Sequence, residues 1–198
     1  MQYDKYISLQ AKHSGLSNTA WGRQMEDAII NWFAPQISDK NSIILDIGCG
    51  EGRGVQALNR LGFPNVTGID LTEEKVVKGR AKGLNLMLGD MHFLPTFFPK
   101  SVDYVFSSHT LEHAMDLELA FKTLATITRK KIFFIVPVGE TPALVARINP
   151  GHTSCLKDRA QIEDILDRLG LTYVMEERRR LCEEVWGKVL CDRSMLIC

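Results

Sequence analysis

Asp46, Asp70 and Asp90 are the residues whose type and placement could do chemistry together. Each stands at or beside the end of a short apolar run, at 42–47, 66–69 and 85–88. Directly after the first comes Gly48-Cys49-Gly50-Glu51-Gly52-Arg53-Gly54. Glycines there let the backbone turn sharply and approach a ligand, because they tolerate positive φ and lack a Cβ. The spacing is not that of a dinucleotide turn. G-x-G-x-x-G needs its third glycine where Arg53 stands, and the phosphate loop G-x-x-x-x-G-K-[ST] is absent. A carboxylate as close as Asp46 repels a pyrophosphate and suits a cationic ligand through charge-assisted hydrogen bonds.

The other two acids narrow that ligand. Asp70 lies where a carboxylate can accept from both ribose hydroxyls, with Leu71 beside it to pack on an adenine face. Asp90, in Gly89-Asp90-Met91, is placed to accept from an adenine amino group. A positively charged adenosine derivative such as S-adenosylmethionine (SAM) fits all three. Methyl transfer from a sulfonium is an in-line displacement, so the protein must align acceptor and methyl and give the acceptor proton somewhere to go. Histidine is the usual base near neutral pH. His109, just past the apolar run 102–107, is the first candidate, and His152 the second. Glu112 and His113 read as residues that fix the turn after that run, and His13, Tyr3 and Tyr6 as residues of an N-terminal arm.

The elements that must position these residues alternate. After an irregular start, 19–33 reads as a helix from the three- and four-residue spacing of Trp21, Met25, Ala28, Ile29, Trp32 and Phe33, stopped by Pro35. Strands are expected at 42–47, 66–69, 85–88, 102–107 and 131–136. Helices are expected from the glycine turn to about 61, at 72–82 with Thr72 as N-cap, at 116–128 and at 158–169. Continuous apolar strands separated by helices imply a parallel sheet covered on both faces. Two closing runs, 171–177 and 188–197, have no helix between them and are expected to form an antiparallel hairpin. The expected fold is therefore α/β, a single Rossmann-like doubly wound sheet of five parallel strands plus a C-terminal hairpin, with helices on both faces. It makes one domain over 1–198: an N-terminal arm and helix at 1–35, a possible lid, and a core over 42–198.

Composition excludes several classes. The 198 residues carry 24 basic and 24 acidic side chains, so no broad positive field drives nucleic-acid binding. The run Arg178-Arg179-Arg180 follows Glu176 and Glu177 and reads as a solvated face. No stretch approaches the roughly 20 apolar residues of a membrane span, and the polar start lacks a signal-peptide core. Cys49, Cys155, Cys182, Cys191 and Cys198 are scattered without a CxxC pair. A reducing, cytoplasmic setting is expected, with no metal site.

The residues quoted resemble a known family. Ile44-Leu45-Asp46-Ile47-Gly48-Cys49-Gly50-Glu51-Gly52 looks like motif I of the class I SAM-dependent methyltransferases, and Gly68-Ile69-Asp70-Leu71 is similar to their acidic loop. Gly89-Asp90-Met91 through Leu94-Pro95 resembles their adenine loop. Ser101-Val102-Asp103-Tyr104-Val105 with Leu111-Glu112-His113, and Gly151-His152-Thr153-Ser154, resemble the small-molecule branch that includes quinone-biosynthesis enzymes. The resemblance implies that Asp46, Gly48, Cys49 and Gly50 cradle the amino-acid end of SAM. It implies that Asp70 and Leu71 hold ribose and adenine, and Asp90 and Met91 the adenine edge. Ser108 and His109 would lie near the methyl group, and S-adenosylhomocysteine (SAH) would be the product. The Asn/Asp-Pro-Pro-aromatic motif of DNA and protein amino-methyltransferases is not present at Ser108-His109-Thr110-Leu111. A small-molecule acceptor is expected, with the acceptor atom and oligomeric state left open. The rival readings are a SAM-binding regulator or scaffold without catalysis, and a nucleotide-dependent oxidoreductase, which Arg53 disfavours.

Overall fold

A computed structural model describes residues 1–12, 20–94, 102–148, 150–180 and 193–197. Its centre is a seven-stranded sheet in the order β3-β2-β1-β4-β5-β7-β6. The strands are β1 (Ile44–Ile47), β2 (Val66–Asp70), β3 (Leu86–Leu88), β4 (Val102–Ser108), β5 (Thr128–Pro137), β6 (Glu176–Arg180) and β7 (Arg193–Ile197). β1 to β5 pair in parallel. β7 runs antiparallel to both β5 and β6. β1 has β2 on one side and β4 on the other, so the order reverses there and a crevice opens beyond the carboxyl ends of these strands.

Successive residues of a strand point to opposite faces, and the central strands feed two apolar clusters in this way. Leu45, Val105, Phe134 and Val136 join the cluster covered by α5 (Leu117–Ile127) and α7 (Arg159–Arg168). Ile44, Phe106, Phe133 and Ile135 join the one covered by α2 (Ala20–Ala28), α3 (Arg53–Arg60) and α4 (Glu73–Ala81). This is why the strands read as unbroken apolar runs. Asp116 and Asp158 cap α5 and α7, each accepting from an amide three residues on.

Several elements differ from expectation. The irregular start is in fact a helix, α1 (Tyr3–Lys12), whose buried side chains Tyr6 and Gln10 lie one turn apart. The helix after it passes into a π-helical turn, Ile29–Phe33, and a 3₁₀ turn, Ala34–Gln36, that accommodates Pro35 near its start. The wider turn carries Phe33 onto the rings of Tyr104, Phe106 and Phe133. Thr72 does stand at the N-cap of α4, but its side chain makes no capping bond. β5 begins three residues early, because Thr128 pairs with Val102 and carries the ladder into an exposed, charged stretch. A further helix, α6 (Pro142–Ile148), occupies the loop after β5. β6 lies at 176–180, later than the run expected at 171–177. His13, Thr19, Pro95, Ser101, Cys182, Cys191 and Cys198 lie outside the described residues. Among those described, no helix is long and apolar enough to cross a membrane.

Candidate active site

A cavity opens at the carboxyl ends of β1, β2 and β4. Its walls include Gly48, Asp70, Leu71, Asp90, Met91 and His109, all residues singled out from the sequence. A second depression on the far side of the glycine turn is lined by Gly48, Cys49, Gly50, Ser108 and His109, so His109 faces both.

The glycine turn is held tightly. The Gly48 and Cys49 amides both donate to the Ile69 carbonyl, at 2.8 and 3.0 Å, and the Gly50 amide donates to Asp70 Oδ2 at 2.8 Å. With its donors engaged inside the protein, the turn presents acceptors to a ligand. Gly48 has φ +72, and a Cβ there would lie 2.0 Å from Thr110 Oγ1. Gly50 also has positive φ, yet an added Cβ would meet nothing within 4 Å. Space is therefore open over Gly50, where a ligand can approach. The Cys49 side chain points away from that space and is buried, and burial pushes its thiol well up from the usual range.

Asp46 is buried, and its Oδ2 has no hydrogen-bond partner among the described residues. α3 presses against it: a Cβ on Gly54 would stand 2.4 Å from that oxygen. Burial first, and the neighbouring Asp70 charge second, push the carboxyl up to about 8, against a bond from the Val55 amide that favours the ion. Asp70 uses its other oxygen to accept from the Thr72 amide at 2.8 Å. Asp90 is more occupied than expected. Its Oδ1 accepts from the His92 amide and contacts the His92 ring, and its Oδ2 accepts from the Tyr3 hydroxyl at 2.8 Å. Burial pushes this carboxyl up, but those bonds outweigh it and hold it below the usual range.

α1 closes one wall. Tyr6 and Gln10 line the cavity, and Gln10 Nε2 donates to the Gly151 carbonyl at 2.9 Å. His109 is the one non-glycine residue with positive φ among those described, at 53°. Histidine tolerates that region better than most side chains, but it remains a strained position of the kind found at functional sites. His109 Nδ1 stands 3.6 Å from Glu112 Oε1. The two candidate histidines are not brought together at the cavity. His152 lies behind its wall, with Nδ1 2.6 Å from Glu140 Oε1 and its ring against His113 at 4.7 Å between centroids.

Residues 45–136 match the family described as "Methyltransferase domain". Over that segment the chain is similar to SAM-dependent methyltransferases. It is 32% identical over 132 residues to EEF1A lysine methyltransferase 2 of Danio rerio, covering 59% of this chain and 56% of that one. It is 31% identical over 127 residues to the ubiquinone biosynthesis O-methyltransferase of Pelagibacter ubique, covering 60% of this chain and 52% of that one. The chain thus spans about half the length of these curated relatives. Its fold matches phosphoethanolamine N-methyltransferase 2 of Haemonchus contortus, solved with SAM, at TM-score 0.68 and 20% identity, covering 80% of this chain and 39% of that one.

Sequence reasoning missed part of the cavity wall. Gln10, Thr110 and Lys75 line it, and His113 does so as well, beyond the turn-fixing role expected of it. Tyr6 and Gln10 carry a four-residue spacing that signals one helix face, hidden because one of the pair is polar. Thr110 is traceable only through Gly48, whose missing side chain leaves room for it.

Proposed function

We propose that this chain transfers the methyl group of SAM to a small-molecule acceptor. The observation that carries the reading is the crevice at the strand-order reversal, bounded by a glycine turn with inward-facing donors and by the Asp70 and Asp90 carboxylates, with Asp46 buried beside the turn. In this reading Asp46 and the acceptor groups of Gly48, Cys49 and Gly50 take the cationic amino-acid end. Asp70 takes the ribose hydroxyls, and Leu71, Asp90 and Met91 enclose the adenine. Bound SAM supplies an activated methyl group on a sulfonium, a leaving group that needs no help from the protein.

The remaining work falls to the chain. Ser108 and His109 face the reacting side, and His109 takes the proton of a hydroxyl or amine acceptor. His152 is assigned no proton transfer, since it stands behind the wall. α1 excludes water by packing Tyr6 and Gln10 over the cavity, acting as the lid. A small acceptor is supported by the likeness to one relative, the ubiquinone biosynthesis O-methyltransferase of Pelagibacter ubique.

The test is calorimetric titration with SAM and SAH, after removing any co-purified ligand, followed by a SAH-release screen of small hydroxylated and amine acceptors. Micromolar binding of both ligands and turnover with at least one acceptor support the reading. Absence of binding to either overturns it. Binding without turnover across the screen leaves the cofactor assignment standing and removes the small-molecule acceptor.

A further inference from the structure

Behind the cavity wall, Glu112, His113 and His152 each bring one potential ligand atom within 4.8 Å of the others. Glu112 and His113 come from the 3₁₀ turn after β4, and His152 from the loop after α6. Hydrogen bonds to backbone carbonyls weld the two segments. The Ser154 amide donates to the Glu112 carbonyl at 2.9 Å, and Thr153 Oγ1 donates to the His113 and Ala114 carbonyls at 2.7 Å each.

The polar atoms around the cluster are arranged in a recognisable way. Metal-binding histidines commonly fix their ring by bonding the second nitrogen to a carbonyl or carboxylate. Here His113 Nδ1 donates to the Gly151 carbonyl at 2.8 Å, and His152 Nδ1 meets the buried Glu140 carboxylate at 2.6 Å. Each ring is thereby oriented to offer Nε2 to a cation. Glu140 is itself tied down by the Leu156 amide at 3.3 Å. Glu112 is 1% exposed, and its Oε2 has no hydrogen-bond partner among the described residues. A buried carboxylate oxygen without a donor is costly unless a cation joins it.

We propose that Glu112, His113 and His152 form a site for a divalent first-row transition metal, with Glu140 and the Gly151 carbonyl as its outer partners. Two imidazoles and one carboxylate suit zinc, iron(II) or cobalt(II), whereas magnesium and calcium favour all-oxygen sets. Metal–ligand distances of about 2.0–2.2 Å require the three atoms to close slightly, which side-chain rotation supplies. Three protein ligands leave coordination positions open, and His113 is also part of the cofactor cavity wall. The metal would therefore sit behind the cofactor cavity wall and be joined to it through His113.

The experiment uses the full chain, stripped with chelator and then dialysed against zinc(II), cobalt(II) or magnesium(II), with bound metal read by mass spectrometry. One equivalent of zinc or cobalt and none of magnesium is expected. The cobalt spectrum should show nitrogen and oxygen ligation without a thiolate charge-transfer band. Glu112→Gln and His152→Ala should each weaken binding by about 100-fold or more. Glu140→Gln should weaken it by roughly 10–100-fold, as loss of an outer partner does. Circular dichroism and SAH titration of every variant report folding and the cofactor site independently. No uptake of zinc or cobalt by the wild-type chain overturns the proposal. So does a thiolate band lost in Cys155→Ser, or uptake unchanged in folded Glu112→Gln and His152→Ala.

Discussion

Around β1 and β2, the crevice carboxylate Asp70 bonds to backbone that is near in sequence or on the next strand. Asp70 accepts from Gly50 across the sheet and from Thr72 two residues on. On the β4–β5 side, Glu112, His113, Glu140 and His152 come from separate loops, and the joining bonds span about forty residues of chain, as from His113 to Gly151. The first arrangement makes backbone and ligand site one object, so a change to it acts on folding and on cofactor binding together. The second hangs side chains on loops joined by the Ser154 amide and the Thr153 and Ser154 hydroxyls, so Glu112 or His152 can be altered while those bonds stay in place.

The largest effect that this contrast predicts is at Gly48. An alanine there enters the left-handed region at about 1–2 kcal/mol and drives a methyl into Thr110 at about 1–3 kcal/mol more. The melting temperature should fall by roughly 5–15 °C. Gly50→Ala incurs only the backbone term, because its Cβ meets nothing, and should lose SAM affinity out of proportion to stability. Thermal melts of the two variants beside SAM titrations settle the point. Equal melting temperatures would break the claim that the turn is wedged against Thr110.

Asp70→Asn comes next. The carboxylate makes two charge-assisted bonds to amides and lines the cavity, and each such bond is worth about 1.5–3 kcal/mol. Affinity for SAM should drop by about 10–100-fold, with a smaller loss of stability. Unchanged affinity in a folded variant would remove Asp70 from the ribose end.

The same contrast explains what was legible in the sequence. Strand, glycine turn, helix and the next strand-end acid are consecutive, so spacing alone places Asp46, Gly48, Gly50 and Asp70 at neighbouring strand ends. Asp90 was found too, but not its bonds to Tyr3 and His92, because α1 carries a polar residue on its buried face. Glu112, His113 and His152 were each noticed singly. Nothing in a linear reading says that the Gly151–Ser154 segment folds onto Glu112 and Ala114 through the Ser154 amide and the Thr153 and Ser154 hydroxyls. The strand at 128–130 was missed for a related reason: its side chains are polar, and only pairing with β4 makes it a strand.

His109 tests the acceptor side by a trade between strain and function. Its φ of 53° is cheap for glycine, so His109→Gly should leave stability unchanged or raise it by up to about 1 kcal/mol. Turnover with an acceptor found by screening should fall by about 100-fold, with SAM affinity changing only a few-fold. A variant that loses stability and affinity together, while turnover per bound cofactor persists, would make His109 a structural residue.

The smallest effect is a dependence on pH, and it separates the two sides again. In the ligand-free protein, burial and the Asp70 charge raise Asp46 to about 8, far above its value in an unfolded chain. The folded state therefore holds a proton that the unfolded state releases. This contribution to stability is complete below the unfolded pKa and is lost as pH rises through about 8. A cationic ligand beside Asp46 favours its charged form, so SAM binding at pH 7 should expel a proton. Affinity should then rise by at most about fivefold from pH 7 to 8, offset in part by loss of the ligand's own ammonium charge over the same range. Calorimetry in buffers of different ionisation enthalpy counts that proton, and Asp46→Asn should abolish both the release and the slope. If the slope survives Asp46→Asn, the proton comes from another group, and the buried carboxylate under the glycine turn is already ionised before the ligand arrives.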